Sequence, residues 1–170
     1  MKSIAKSILA ANIALLALLA TIVMPGCNTS GCTDNRSSVP LAGFYSASTG
    51  TTITLDSLNI MGVGAPGDSM MLKAGTRASS VYLPLRSDTK SVTYDIEYAY
   101  KAFGGLTDQL TISYESYPYF ASEECGAMFR YRITDIQHTD FLLDSVAVTV
   151  PDSMITNVNA ENMRLYFRTN

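Results

Sequence analysis

The sequence predicts an all-β protein, an antiparallel two-sheet sandwich preceded by a cleaved signal peptide. Three observations predict it. After Val39 the apolar residues recur with a period of two, the spacing of a strand with one wet face. Gly, Pro, Asn, Asp and Ser clusters interrupt that pattern at short intervals. The one continuous apolar run, Ile8 to Met24, lies near the N-terminus and stops at Pro25-Gly26-Cys27.

That N-terminal segment comes first in the chain. Lys2 and Lys6 supply a positive start, and only Asn12 and Thr21 interrupt the apolar run. A spanning helix needs about 20 apolar residues, so cleavage is the better reading. A small residue followed by cysteine at the end of such a run is the processing site of bacterial lipoproteins. Residues 1–26 are therefore read as a lipoprotein signal peptide, with Cys27 the lipidated first residue of the mature chain. Met24 and Pro25 depart from the usual Leu and small residue at those two positions. An uncleaved anchor and ordinary signal cleavage are the alternatives. Residues 27–38 form the lipid anchor and a polar tether, and residues 39–170 the β domain.

Along that domain the elements follow in order. Thr51–Ile60 reads as a strand whose parity switches at Asp56-Ser57, the mark of a bulge or bend. Gly62–Gly67 is a glycine-rich turn. Val81, Leu83 and Leu85 alternate, but Pro84 cannot donate to a ladder, which makes this an edge strand. Val92, Tyr94, Ile96, Tyr98 and Tyr100 share one face of the clearest strand. Leu110, Ile112 and Tyr114 define the next, and Tyr117–Glu124 reads as a loop. Phe129, Tyr131 and Ile133 alternate with Arg130, Arg132 and Thr134; Val146, Val148 and Val150 and then Leu165 and Phe167 complete the set. About eight or nine strands result. Antiparallel strands with one apolar face pack as two layers, of immunoglobulin-like or jelly-roll type, with a closed barrel as the alternative. The expected core is Tyr94, Ile96, Tyr98, Ile112, Phe129, Tyr131, Ile133, Val146, Val148 and Phe167.

Composition narrows the function classes. Without Lys2 and Lys6 the mature chain has 10 basic and 15 acidic residues, a net charge of about −5. It has no Lys/Arg cluster, which argues against nucleic acid as a partner. Three cysteines are an awkward number in an oxidising compartment. If Cys27 carries lipid, Cys32 and Cys125 are left as one disulfide pair, closing a loop of 93 residues (125 − 32). Chain-entropy arguments make such a bridge worth about 4–5 kcal/mol. Two unpaired thiols are the alternative.

Motifs of catalysis are weak. Gly62-Val63-Gly64-Ala65-Pro66-Gly67 fits G-x-G-x-x-G, but no helix follows to face a pyrophosphate. His138 is the single histidine, flanked by Asp135 and Asp140, with no second ligand to complete a zinc set. No Gly-x-Ser-x-Gly elbow occurs. The chain is read as non-enzymatic, without metal or other cofactor. Tyr117, Tyr119 and Phe120 cluster before Cys125. Aromatics in a loop serve glycan and protein binders, so these three are candidate ligand-binding residues, though the plainer reading is that they cover the disulfide.

Several of these features resemble an uncharacterised outer-membrane lipoprotein family, a domain of unknown function common in Bacteroidetes. The resemblance rests on Cys27 with Cys32 close behind it, on Gly43-Phe44-Tyr45, Leu83-Pro84-Leu85 and Ile112-Ser113-Tyr114, and on Ala121-Ser122-Glu123-Glu124-Cys125-Gly126. It implies export, lipidation and a β domain, and carries no activity. Four Asp-Ser-apolar tripeptides, at Ser57, Ser69, Ser145 and Ser153, also resemble O-glycosylation acceptors of exported Bacteroidetes proteins; turn chemistry is their plainer reading. No acidic residue follows Cys27 before Asp34, which favours the periplasmic face of the outer membrane over the cell surface. The expected function is an interaction or assembly module held to the membrane by its N-terminal lipid. Its partner would be another envelope protein or, in the alternative, a glycan bound by a surface lipoprotein through the aromatic loop.

Overall fold

The computed structural model describes residues 38–65, 67, 69–100, 105–123 and 125–169. The expected all-β sandwich is what it contains. Its strands are β1 (Leu41–Ser46), β2 (Leu58–Gly62), β3 (Met70–Leu72), β4 (Ser80–Tyr82), β5 (Ser91–Tyr98), β6 (Thr107–Ser122), β7 (Gly126–His138), β8 (Leu143–Val148), β9 (Met154–Ile155) and β10 (Glu161–Phe167). A four-stranded sheet has the order β4-β1-β10-β8; a six-stranded sheet has the order β3-β2-β5-β6-β7-β9. Phe44, Leu165 and Phe167 of the first sheet and Ile60, Tyr94, Ile96, Leu110 and Ile112 of the second belong to one buried cluster.

Local chemistry explains the elements. β5 alternates as its sequence dictates: Tyr94, Ile96 and Tyr98 are buried, and Asp95 and Glu97 less so. The strand ends at Tyr98, so Tyr100 leaves the apolar face and is exposed. Asp56 and Ser57 form a bend, and only Leu58 onward joins the sheet. β4 is a three-residue edge strand ending before Pro84, whose carbonyl accepts a bond from the buried Tyr94 hydroxyl. After Gly62 the chain turns through Gly64 (φ +66°) and Gly67 (φ +70°) into β3, not into a helix. Gly43 is needed for a different reason. A Cβ there would overlap the Glu161 carboxylate, which accepts a bond from the Tyr45 hydroxyl.

Three features depart from simple alternation. The two long strands stay in register until Ser113↔Asp135 and resume at Tyr114↔Ile133, leaving Thr134 as a bulge. Ile133 and Ile136 therefore both turn toward the core. Another irregularity lies between Leu41 and Ala42, opposite Asn162, whose buried side chain supplies the acceptor for the Leu41 N–H at 2.9 Å. And β1 runs parallel to β10, whereas every other strand pairing among the described residues is antiparallel.

Three expected core residues are only half-buried. Val146 and Val148 lie on β8, an edge strand; Leu143 is its fully buried residue. Phe129 lies on the far part of β7, where a single neighbouring strand covers the sheet.

Candidate functional site

β6 and β7 are 16 and 13 residues long, well beyond the usual strand of about 5–6 residues. β5 pairs with β6 only as far as Ser113, and Tyr114 N–H still donates to Lys90 O at 2.9 Å. β9 touches β7 only at Tyr131 and Arg132. Past these points the two strands continue as a two-stranded arm.

The arm's two faces differ. In an antiparallel pair, opposed residues share a face. Tyr117↔Arg130 and Tyr119↔Met128 put one set outward. There Arg130 lies over the Tyr119 ring at 3.9 Å and Arg132 over the Tyr117 ring at 5.7 Å. The Tyr117 hydroxyl donates to Glu115, and that bond, above all, raises the phenol's pKa. Pro118↔Phe129 and Phe120↔Ala127 define the other face, on which Phe120 is 69% exposed. Tyr117, Tyr119 and Phe120 thus lie in a strand rather than a loop. Strand alternation sends Phe120 away from the two tyrosines, so the three do not form one patch.

Pro118 sits in this strand without breaking a ladder. Backbone groups of alternate residues point to alternate sides. Tyr114 N–H faces β5, so positions 116, 118 and 120 face the same side, which β5 has left. Pro118 therefore lacks a donor only where, among the described residues, no strand needs one, and it blunts that edge.

Beside this edge opens a cleft of about 940 Å³, walled by residues 87–91 and by Ser113–Tyr117 and Thr134. Tyr114 also borders it, its hydroxyl donating to Arg86 O at 2.8 Å and accepting from Arg86 N at 3.0 Å. Asp88 is held by Arg86 through two bonds of 3.0 and 2.6 Å. Lys90 makes no side-chain bond or ion pair within the described residues. Ser116 Oγ is buried and has no hydrogen-bond partner there.

The most strongly perturbed carboxylate is elsewhere and is structural. Asp108 is fully buried and accepts from Tyr98 Oη at 2.6 Å, Thr139 Oγ1 at 2.7 Å, Phe141 N at 2.8 Å, and Leu142 N and Leu143 N at 2.9 Å each. Burial pushes its pKa up, but the bonds from Thr139, Tyr98 and the two leucine amides outweigh that and hold it at about 2. It fastens the loop between β7 and β8. A sequence signal for it existed: Asp108 shares the inward parity of Leu110, Ile112 and Tyr114.

The other candidate residues are scattered. Cys27 and Cys32 lie outside the described residues. Cys125 is disulfide-bonded and sits at the tip of the arm, its N–H donating to Ser122 Oγ at 3.1 Å. Ser69 and Ser145 are exposed, whereas Ser57 and Ser153 are half-buried. Ser57 hydroxyl donates to Asp56 at 2.8 Å, and Ser153 has a left-handed φ of 54°. Among the described residues no three His, Cys, Asp or Glu side chains are grouped to hold a metal. His138 ends β7, half-buried, with Nδ1 2.7 Å from Thr139 O. His138→Ala should change the unfolding free energy by no more than about 1 kcal/mol, the cost of one local bond and a partly exposed ring. Urea denaturation checks this; a loss above about 2 kcal/mol would show that the ring carries more than that bond.

Residues 57–167 match a family model described as a family of unknown function (DUF6452). No curated protein and no solved structure matches the chain.

Proposed function

Because the chain belongs to the DUF6452 family, a family of unknown function, we propose its role from its own residues: a non-enzymatic, lipid-anchored outer-membrane protein whose sandwich serves as an interaction or assembly module facing the periplasm. The observation that carries the reading is the β6–β7 arm. It extends past its neighbouring strands and presents Tyr117, Tyr119, Arg130 and Arg132 outward. Tyrosine and arginine are the side chains that dominate binding surfaces, because they give rigid contact area and several donors at little entropic cost.

The anchor is supported by Lys2, Lys6, the apolar run from Ile8 to Met24 and the Gly26-Cys27 junction. With Cys27 bearing lipid, Cys32 is the remaining partner for Cys125. That bridge joins the tip of the arm to a residue five positions from the anchor (32 − 27), so the arm works close to the membrane. Two acyl chains or more hold a protein firmly where one does not.

Metabolic labelling with an alkynyl fatty acid should mark the wild type and not Cys27→Ala, and the variant should leave the membrane fraction. Equal labelling of both would remove the anchor from this reading. For the module, a photo-crosslinking amino acid at Tyr119 in intact cells should give a discrete adduct with another envelope component. The same group at Tyr82, on edge strand β4, should not. Identical patterns at the two positions would argue against the arm as the working surface.

A further inference from the structure

We propose, resting on the lipid-anchored reading above, that the apolar face of the arm, led by Phe120, seats in the surface of the phospholipid bilayer that holds the chain's own acyl group.

Strand pairing makes this face a continuation of the core. Tyr114↔Ile133 and Ser116↔Tyr131 are followed on the same side by Pro118↔Phe129 and Phe120↔Ala127. Tyr114, Tyr131 and Ile133 are buried in the core cluster. Further out, Pro118, Phe120 and Ala127 are exposed and Phe129 is half-buried. None of these four side chains is polar. The arm's charges, Glu115, Arg130 and Arg132, stand on the opposite side. Where the face joins the sandwich, Leu85 and the Arg86–Asp88 ion pair border it beside Phe129. Phe129 is two positions from Ala127 (129 − 127), about 7 Å along the strand. Interfacial elements bury their apolar faces by about 5–10 Å, so the ion pair marks the level at which the headgroups begin.

The disulfide brings the bilayer to this face. The chain has three cysteines, and Cys125, at the tip of the arm, is disulfide-bonded. With Cys27 acylated its partner is Cys32, and five residues (32 − 27) span at most about 18 Å. Ala127, which faces Phe120, is two positions from Cys125 (127 − 125). The exposed ring is thereby leashed to the acyl chains. One aromatic ring cannot hold a free protein on a membrane, but next to an anchor its insertion is an intramolecular step at high effective concentration. The chain has no basic cluster, so the contact draws on apolar area and not on anionic headgroups. Glu123, exposed in the turn, opposes end-on entry. The arm therefore meets the surface at a slant, and its tyrosine and arginine face stays in water.

A protein partner is the competing occupant. A standard interface takes about 800 Å² from each side, more than four side chains on a two-stranded arm supply. Strand addition needs consecutive main-chain bonds, and Pro118 removes a donor from the open edge of β6.

The chain has no tryptophan, so one introduced at a single position reports alone. Full-length acylated protein carrying Phe120→Trp, Ala127→Trp or Phe141→Trp would be reconstituted into phosphatidylcholine vesicles, with and without bromine on the acyl chains. Phe141 is the comparison. It is 54% exposed and lies past the end of β7, eleven positions or more from Ala127 (138 − 127), about 36 Å along the strand. All three sites are exposed, so the variants should keep the wild-type circular dichroism spectrum. Phe120→Trp and Ala127→Trp should lose about half or more of their emission in the brominated vesicles, and Phe141→Trp little. Adding Cys27→Ala to Phe120→Trp should abolish both flotation with the vesicles and the quenching. Flotation with unquenched Phe120→Trp would overturn the bilayer contact and leave the anchor standing; Ala127→Trp decides instead if Phe120→Trp loses its spectrum. Quenching as strong at Phe141→Trp would also overturn it, since the domain would then lie on the membrane without preference for the arm. Wild type that does not float would overturn anchor and contact together.

Discussion

Asp108→Ala should destabilise the domain by about 4 kcal/mol or more, enough to unfold much of it if its total stability is the usual 5–15 kcal/mol. The carboxylate accepts from two hydroxyls and three amides, those of Tyr98, Thr139, Phe141, Leu142 and Leu143. Each buried donor left without a partner costs about 1–3 kcal/mol. Because the 139–143 loop can rearrange and admit water, the five penalties will not add in full. Asp108→Asn keeps the volume but turns an amide NH2 toward those donors, so it should also lose stability. The pH dependence has a definite sign. The folded pKa of about 2 lies below the unfolded value of about 3.9. Stabilisation is therefore complete above about pH 4–5 and is lost as pH falls toward 2, amounting to about 2–3 kcal/mol. Urea denaturation between pH 2 and 7 should show this extra acid loss in wild type and its absence in Asp108→Asn. Parallel curves would refute the assignment.

Phe44→Ala should cost about 3–5 kcal/mol, the range for a large buried aromatic. Phe44 has no exposed surface, and it meets Phe167 edge-to-face at 5.6 Å and 85°. Truncation would open a cavity between the two sheets and remove that ring pair, itself worth about 0.5–1.5 kcal/mol. Phe129→Ala is the informative comparison. Its ring is stacked on Tyr131 at 6.5 Å but remains half-exposed, so its loss should stay near 1–2 kcal/mol. Equal losses at the two positions, measured by urea denaturation, would mean that something covers the arm's Phe129 face in solution.

How far the sequence reveals the fold depends on how many neighbours each strand has. β5 lies between β2 and β6, and its alternation reads directly. β8 has one neighbour, so Val146 and Val148 obey the pattern yet stay partly wet. The bulge at Thr134 was not legible, because parity on β7 changes only where β6 imposes it. Pro118 and the nearby turn residues read as a loop. They are strand because, among the described residues, one side of β6 has no partner there to demand their N–H groups. The cleft was beyond reach for a simpler reason. Its walls come from residues 87–91 and 113–117, which only the β5–β6 pairing brings together. Asp108 alone could have been found, as a charge on an apolar parity.

The parallel contact between first and last strands sets an order of events. β10, Glu161–Phe167, is an interior strand of its sheet, flanked by β1 and β8. A ribosome that has reached Ala160 has supplied every other strand of both layers, yet β1 and β8 have nothing between them. The four-stranded layer cannot close before β10 has been made, across a sequence separation of more than a hundred residues. Until then the six-stranded sheet has only an incomplete layer to pack against, and the core that the two share stays partly open.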